Sequence, residues 1–248
     1  MTRMVRLMFL VWLVCLAPAR DAWAGPVRLV TGDGMSPHTG KDLPHYGMLT
    51  EIVQRSFQLA GHDTTLDWAP WKRGYELAKL GEYDATFPYA RSPQREQEYL
   101  YSDRLYGGIR AIYARPGNTI DPAHPETFRG AYCAPPGYLI YSQIETQLAN
   151  GAVRLQRPAS LVTCARMLAL GRVDFFIADA TSGDEALKQA GVGRSVVRLA
   201  KPFEKAEFYL IVPRSRPEAR KLVDEFNAGL KRLKANGEYA HIVARHLH

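Results

Sequence analysis

The chain has 248 residues, 46% of them hydrophobic, and its 32 Lys and Arg against 25 Asp and Glu give a formal net charge of +7. This length suits one large domain or two lobes of ordinary size, each able to bury a hydrophobic core. The positive charge is spread along the chain without a Lys/Arg cluster or an aromatic RNA-binding motif, so the composition does not indicate a nucleic-acid-binding protein.

The N-terminus has the pattern of a cleavable signal peptide. Arg3 and Arg6 precede the apolar run of residues 7–16, and "AWA" stands before Gly25. A charged start, a short apolar stretch and an A-x-A site are the three parts of a secretory signal. The alternative, a retained membrane anchor, needs a longer apolar run. We therefore predict cleavage after Ala24 and a periplasmic protein, whose 224 residues keep a charge of +5 once three Arg and one Asp are removed.

The first part of the mature chain alternates strands with helices. Strands are predicted at residues 27–32, 64–68 and 83–87. Helices are predicted at residues 48–61, where apolar residues recur at helical spacing before a glycine, and at residues 72–81. This alternation predicts a mainly parallel sheet in an α/β unit.

A second α/β set follows a long strand at residues 106–115 and a Pro-rich connector. It ends before another long apolar strand at residues 206–213 and a helical C-terminus. Its predicted strands are residues 130–134, 153–156, 173–178 and 195–199, and its predicted helices are residues 137–149, 161–170 and 183–190.

The two long strands on either side of the second set indicate an inserted lobe. We predict a two-lobed α/β protein in which lobe one is residues 25–110 and 206–248 and lobe two is residues 111–205. Two crossing strands, near 107–113 and 206–212, would act as hinges. Such an arrangement forms a cleft that can close on a ligand.

Two charged residues stand where a ligand of this cleft would be held. Ligands of open α/β sheets lie beyond the carboxyl ends of the strands. Arg95 follows one such strand end, after the turn "YARSPQR", and Asp179 ends the strand of "VDFFIAD". Arg95 can grip a carboxylate with two hydrogen bonds. Asp179 can hold a positive group, cap the following helix, or do both.

Other candidates for the cleft wall are aromatic or polar residues at strand ends and turns. Trp71, Tyr89 and Tyr138 could pack on an apolar or cationic part of a ligand, although core packing is the ordinary role of a single aromatic residue. Pro neighbours place Trp71 and Tyr89 on loops. Arg73 and Arg91 are additional cations that could favour a ligand with a second anionic group, although such residues are more often solvated. Asp33, at the end of the first strand, is a candidate polar lining residue.

Cys133 and Cys164 remain after removal of the signal peptide. In an exported protein such a pair predicts a disulfide, which would close a loop of about 30 residues and add ~3.7 kcal/mol of stability in the chain-entropy relation. The alternative is two buried free thiols. No His base stands beside either Cys, so catalytic thiol chemistry is not indicated, and no nucleophile-elbow, zincin, phosphate-loop or dinucleotide motif is present.

Four segments resemble one family throughout the mature chain. They are "GMLTEIVQRSF", the stretch from "WAPWKRGYELAKLGEYDATF" to "PYARSPQREQEYLYSD", "YCAPPGY" and "CARMLALGRVDFFIAD". They are similar to the type II periplasmic solute-binding proteins of ABC importers, family 3, which bind polar amino acids. The resemblance implies the type II periplasmic-binding-protein fold, with each lobe a mainly parallel sheet flanked by helices.

The resemblance also implies roles for individual residues. Arg95 of "SPQR" stands where the family grips the ligand α-carboxylate, and Asp179 stands where it takes the α-ammonium. Backbone N–H groups of Gly137 and Tyr138 would hold the carboxylate from lobe two. The chain departs from the family at Ala90, where a hydroxyl residue is common, and in "PPGY", which lacks the usual Ser or Thr. These departures leave the ligand class open.

The sequence therefore predicts a monomeric, non-enzymatic binding component of an ABC importer. Its ligand would be a small polar solute, an amino acid or derivative, and its partner a membrane permease, with no cofactor, no metal and no nucleic acid. One alternative is an enzyme on the same fold, such as a cyclohexadienyl-dehydratase-like lyase with Asp184 or Glu185 as the acid. The other is a sensory or accessory binding module.

Overall fold

The structure is a computed structural model that describes residues 25–247. The predicted signal peptide lies outside the described residues. The strands are β1 (Val27–Thr31), β2 (Thr64–Trp68), β3 (Ala85–Tyr89), β4 (Tyr99–Tyr101), β5 (Tyr106–Ala114), β6 (Gly130–Cys133), β7 (Val153–Gln156), β8 (Phe175–Asp179), β9 (Val197–Arg198) and β10 (Glu204–Pro213). The helices are α1 (Met48–Ala60), α2 (Trp71–Lys79), α3 (Pro93–Glu98), α4 (Ser142–Ala149), α5 (Leu161–Ala169), α6 (Ala180–Ala190), α7 (Ala219–Ala235) and α8 (Glu238–Leu247).

The strands form two parallel sets joined by two antiparallel strands. Along the sheet the order is β2-β1-β3-β10-β5-β8-β6-β7, with β4 paired to β10 and β9 paired to β5. Strands β2, β1 and β3 are parallel to one another, and so are β8, β6 and β7. Strands β5 and β10 run antiparallel between the sets, from the pair Glu204–Arg110 to the pair Phe208–Tyr106. These are the two crossing strands that the sequence predicts.

The first half of the fold consists of residues 25–105 together with the C-terminal residues from 206 onwards. Its core lies between the sheet and helices α1 and α7. The rings of Phe57 in α1 and Phe226 in α7 lie 4.8 Å apart, and both are fully buried. The two helices touch at Gly229, where an added Cβ would lie only 1.9 Å from the carbonyl oxygen of Ser56. Helix α1 ends at Gly61, whose φ of 89° gives the left-handed turn that glycine adopts without strain.

The second half has apolar clusters on both faces of its parallel strands. On one face Tyr113 stacks on Phe176 at 4.6 Å between ring centroids, and on the other Tyr132 stacks on Phe175 at 5.1 Å. The predicted domain boundaries stay a prediction. The apolar clusters do divide along the same line, because residues 111–203 share their clusters only with one another.

The helix predicted at residues 137–149 is shorter than expected. It begins at Ser142, because Pro135 and Pro136 are followed by Gly137 with a φ of 89°, and Tyr138 N donates to Pro135 O. This turn holds the chain out of the helical region at the point where Gly137 lies against Trp71 and Lys72 at the start of α2. Helix α6 instead begins earlier than predicted, at Ala180, since Asp179 caps it.

The predicted disulfide is present in the structure. Cys133, the last residue of β6, is bonded to Cys164 in α5, with a sequence separation of 31. Both residues are fully buried. The bond fixes α5 to the end of the strand that leads into the "PPGY" turn.

None of the helices in the described part of the chain is long and apolar enough to cross a membrane.

Candidate functional site

A cavity of about 60 Å³ lies where the carboxyl ends of the two strand sets face each other across β5 and β10. Its wall comes from both halves of the fold. Residues 35–95 and Phe208 supply one side, and residues 110–179 supply the other. The wall includes Met35, Trp71, Tyr89, Ala90, Arg95, Arg110, Gly137, Tyr138, Tyr141, Asp179 and Phe208.

Arg95 reaches the cavity from the first turn of α3. Ser92 caps this helix by accepting a hydrogen bond from Arg95 N at 3.3 Å. The guanidinium then donates from Nη1 to Ala90 O and from Nη2 to Gly137 O, both at 3.0 Å. Its carbon lies 5.0 Å from the centre of the Tyr89 ring. Arg95 is thus held in position by two carbonyl groups and an aromatic face.

Asp179 faces the cavity from the end of β8, and its side chain is already engaged. Its Oδ1 accepts from Ser182 N at 3.1 Å, which is the predicted helix cap, and from His38 Nε2 at 2.9 Å. Burial raises the pKa of this carboxyl, but the charge and hydrogen bond of His38 and the N–H of Ser182 outweigh it and leave the pKa below its usual value. The carboxylate is therefore ionised and bonded within the protein.

Arg110, from the crossing strand β5, is the second arginine of the wall and, unlike Arg95, it is buried. Its Nη1 donates to Glu204 Oε1 at 2.6 Å and to Lys205 O at 2.9 Å, and its carbon lies 5.4 Å from the centre of the Tyr141 ring. Both partners of this ion pair belong to the antiparallel strands. The charge of Arg110 is thereby balanced inside the wall.

Trp71 and Tyr89 form a joined aromatic corner. The Tyr89 hydroxyl donates to Trp71 O at 3.0 Å, and the two rings meet edge to face at 6.1 Å. Burial raises the pKa of Tyr89 to about 12, so this hydroxyl is a neutral donor at ordinary pH. The expectation that both residues lie on loops is wrong, because Trp71 is the first residue of α2 and Tyr89 is the last residue of β3.

Gly137 brings the two halves into direct contact. An added Cβ would lie 2.5 Å from Trp71 Cβ and 2.9 Å from Lys72 N, at the start of α2. Only glycine allows so close an approach with a φ of 89°. Tyr138 also lines the cavity, but its N–H is used within the turn, by Pro135 O at 3.2 Å.

Two predicted residues lie away from the cavity wall. Asp33 is exposed, and its Oδ1 accepts from the N–H groups of Gly34 and Lys41 in its own loop. Arg91 pairs with Glu96 at 3.0 Å and lies over the rings of Tyr101 and Tyr209. The structure therefore joins Arg95, Asp179, Tyr89, Ala90, Trp71, Gly137 and Tyr138 at one cavity and leaves Asp33 out.

The two acids considered for an enzymatic role also lie outside the wall. Asp184 accepts from the Tyr113 hydroxyl at 2.8 Å and from Arg198 at 2.6 Å. Glu185 accepts from Gln189 at 3.0 Å along α6. Neither residue lines the cavity that holds Arg95 and Asp179.

Sequence reasoning missed His38 and Arg110. His38 lies in the loop after β1, and its partner Asp179 is 141 residues away in the sequence, so no local sequence pattern predicts the pair. Arg110 carried a usable signal, since a charge inside the apolar strand "IRAIYA" must find a buried partner. Within residues 25–247 no group of three or more His, Cys, Asp or Glu side chains is placed to hold a metal ion.

Comparison with known families gives one match that spans most of the chain. Residues 31–248 match the sequence model described as bacterial extracellular solute-binding proteins, family 3. No curated protein sequence matches the chain.

Solved structures share the fold over nearly the whole chain. A histidine kinase sensor domain similar to periplasmic binding proteins has a TM-score of 0.78 at 17% identity, covering 90% of this chain and 96% of its own. An ancestral arginine-binding protein bound to arginine has a TM-score of 0.76 at 16% identity, with 90% and 99% covered. A Salmonella typhimurium periplasmic binding protein with high arginine specificity has a TM-score of 0.72 at 16% identity, with 91% and 100% covered. At these identities the similarity shows a common fold and does not identify a ligand.

Proposed function

The chain belongs to family 3 of the bacterial extracellular solute-binding proteins, and on that basis we propose that it is the periplasmic ligand-binding component of an ABC-type importer. In this proposal it holds a small carboxylate-bearing solute, of amino-acid size, in the cavity between its halves and presents it to a membrane permease. It binds as a monomer and catalyses no reaction.

The observation that carries the proposal is the position of Arg95. Its guanidinium lines the cavity and is held by two backbone carbonyl groups that leave further N–H donors available. A carboxylate placed there would receive charge-assisted hydrogen bonds and would contact both halves, because Gly137 O of the second half already accepts from the same group. Ligand binding would thereby favour the closed arrangement.

A thermal-shift screen of chain 25–248, stripped of co-purified ligand by unfolding and refolding, tests the binding step. The compounds are amino acids, short 2-oxo and 2-hydroxy acids, polyamines and prephenate. A ligand at about 1,000 times its Kd adds ~4 kcal/mol, which for a chain of this size raises Tm by on the order of 8–16 °C. A flat screen, or turnover of prephenate, would contradict the proposal.

Delivery to a permease is tested separately, because the same fold serves as a sensor domain in one of the structures above. The purified chain and a candidate ABC-type permease are placed in proteoliposomes with the ligand from the screen. We expect uptake only when both are present. Ligand binding without uptake would favour the sensory or accessory module.

A further inference from the structure

Two of the charged side chains in the cavity wall are paired within the protein, and one is not. Three ionisable side chains with a formal charge line the cavity, namely Arg95, Arg110 and Asp179. Arg110 is paired with Glu204 at 2.6 Å, and Asp179 is paired with His38 at 2.9 Å. Arg95 lies within ion-pair distance of no carboxylate among residues 25–247, since its recorded partners are backbone carbonyls and aromatic rings. Its positive charge is the one that the protein leaves for a ligand.

The carboxylate of Asp179 is poorly placed to take a ligand ammonium group. Its side chain is 5% exposed, and its partner His38 is completely buried. An imidazolium at His38 neutralises the charge of Asp179. A neutral imidazole that donates from Nε2 still occupies Oδ1, together with Ser182 N. An ammonium group at Asp179 must therefore share a carboxylate whose Oδ1 already accepts two hydrogen bonds, and displacing His38 would leave a buried ring without its carboxylate partner.

The rest of the wall is apolar or aromatic. Met35, Trp71, Tyr89, Tyr138 and Phe208 line it, and none of them carries a negative charge, because burial keeps even the phenols of Tyr89 and Tyr138 neutral by raising their pKa. A positive group on the ligand would lose its hydration in such a wall and could gain as an anionic partner only Asp179, which His38 already engages. The cavity volume of about 60 Å³ favours a small ligand.

We propose that this cavity selects a small monocarboxylate without an amino group, of the size of a short 2-oxo, 2-hydroxy or saturated acid. Arg95 holds the carboxylate, the aromatic corner of Trp71 and Tyr89 covers the uncharged body, and the His38–Asp179 pair excludes the ammonium group of an amino acid. This inference rests on the proposed function, because both use the carboxylate site at Arg95.

Isothermal titration calorimetry with matched compounds tests the inference. Pyruvate, lactate and propionate are compared with L-alanine, and 4-methyl-2-oxopentanoate is compared with L-leucine for a larger body. In each set the carboxylate and the carbon skeleton are the same and only the substituent on C2 differs. We expect the acids to bind about tenfold or more tightly than the amino acid. The difference is the cost of burying the ammonium group of the amino acid without a free anionic partner.

The variant His38→Leu gives a readout that a merely structural role would not change. Leucine neither donates to Asp179 nor carries a charge, so the carboxylate becomes available to an ammonium group. We expect the affinity ratio to move towards L-alanine by about tenfold. His124→Leu makes the same change at an exposed histidine that pairs with Glu126, and it should leave the ratio unchanged.

Each outcome decides between the two proposals. Tighter binding of an amino acid than of its matched acid overturns the inference and leaves the proposed function intact. Binding of neither member of either set also overturns the inference, and the proposed function falls with it only if the wider thermal-shift screen is flat. If His38→Leu does not fold, the comparison on the unmodified chain still decides.

Discussion

At the scale of single residues, the segment 91–95 shows how two arginines four positions apart acquire different roles. Arg91 is neutralised by Glu96 and covered by two tyrosine rings. Arg95 has the capped first turn of α3 beneath it and carbonyl groups on both sides. The same residue type is a surface ion pair in one case and an available cation in the other. The difference lies in the partners and not in the local sequence.

Replacing Arg95 with Ala should weaken binding of a carboxylate ligand by ~1.5–3 kcal/mol, the value of a hydrogen bond to a charged group. This corresponds to roughly 10- to 150-fold in Kd. Calorimetry with the ligand found by screening measures the change. The fold should persist, because the side chain is half-exposed and packs into no core cluster.

Arg91→Ala is the matched control. It removes the same side chain from the same segment, but its partner Glu96 is exposed, and exposed ion pairs contribute little. We expect an unchanged Kd. Equal weakening in both variants would mean that net charge at the cavity mouth, and not a contact at Arg95, governs binding.

At the scale of secondary-structure elements, Asp84 ties three segments of the first half together. Its Oδ2 accepts from Arg28 N at 2.8 Å in β1, and its Oδ1 accepts from Arg216 Nε at 3.1 Å, ahead of α7. Burial raises the pKa of Asp84, but the side-chain and backbone hydrogen bonds of Arg28 and the charges of both arginines outweigh it, so the pKa is lowered. The start of β3 is thereby fixed to β1 and to the C-terminal part of the chain.

This lowered pKa predicts how stability depends on pH. Because the carboxyl binds protons less readily when folded, its contribution is complete above its ordinary pKa of about 3.9 and is lost as the pH falls through the lower folded value. In Asp84→Asn this part of the pH dependence should vanish, with a loss of roughly 3 kcal/mol at neutral pH, as for a broken buried ion pair. Urea unfolding between about pH 6 and pH 2 measures both effects.

Asp121→Asn serves as the comparison, because Asp121 is an exposed carboxylate paired with an exposed Lys201. Its removal should change the unfolding free energy little at any pH. A wild-type pH dependence retained in full by Asp84→Asn would show that other carboxyls dominate acid unfolding.

The disulfide between β6 and α5 is the second link at this scale. The double variant Cys133→Ala/Cys164→Ala should lose ~3–4 kcal/mol of unfolding free energy, as expected for a closed loop of about 30 residues. Reductant should lower the Tm of the unmodified chain and leave that of the double variant unchanged. Alkylation of both cysteines in unreduced protein, detected by mass spectrometry, would contradict the bond.

Elements proved more predictable than their contacts. Periodicity and glycine positions located β1, α1, β2 and β3, and the two long strands predicted the antiparallel pair β5 and β10. The type II fold and the family inferred from motifs are confirmed. The helix after Cys133 was predicted too long, because the positive φ of Gly137 depends on a contact with another part of the fold.

In the site, too, the positions of residues were easier to predict than their contacts. Arg95 and Asp179 could be found from their places after strand ends, since topology brings those ends together. The His38–Asp179 pair could not, because it depends on a loop crossing between the halves. Asp33 also follows a strand end, but it does not reach the cavity, because its carboxylate accepts hydrogen bonds from N–H groups of its own loop. Strand order predicts where a cavity forms but not which of its charges remain unpaired.

At the scale of the whole molecule, three contacts join the halves at the cavity. They are the His38–Asp179 pair, the hydrogen bond from Arg95 to Gly137 O and the packing of Gly137 on the start of α2. The first two are polar and can be replaced by water when the halves separate. The third is a shape requirement, since a Cβ at Gly137 would overlap Trp71 and Lys72. It therefore controls how closely the halves can approach.

Gly137→Ala should hold the halves apart. With its Cβ 2.5 Å from Trp71 Cβ in the present arrangement, the variant can relieve the overlap only by opening the cleft or by distorting the turn. We expect a larger radius of gyration by small-angle X-ray scattering at saturating ligand, and binding weakened by about tenfold or more because Arg95 and the opposite wall no longer meet the ligand together.

Gly151→Ala separates this effect from backbone strain. Gly151 also has a positive φ, 77°, but an added Cβ there meets nothing within 4 Å. Both variants therefore bear the cost of a left-handed alanine, on the order of 1–2 kcal/mol, and only Gly137→Ala bears the overlap between the halves. Equal losses of affinity in the two variants, with unchanged scattering, would mean that the turn and not the approach of the halves limits binding. A larger loss at Gly137, together with an expanded liganded state, would identify this glycine as the residue that permits closure.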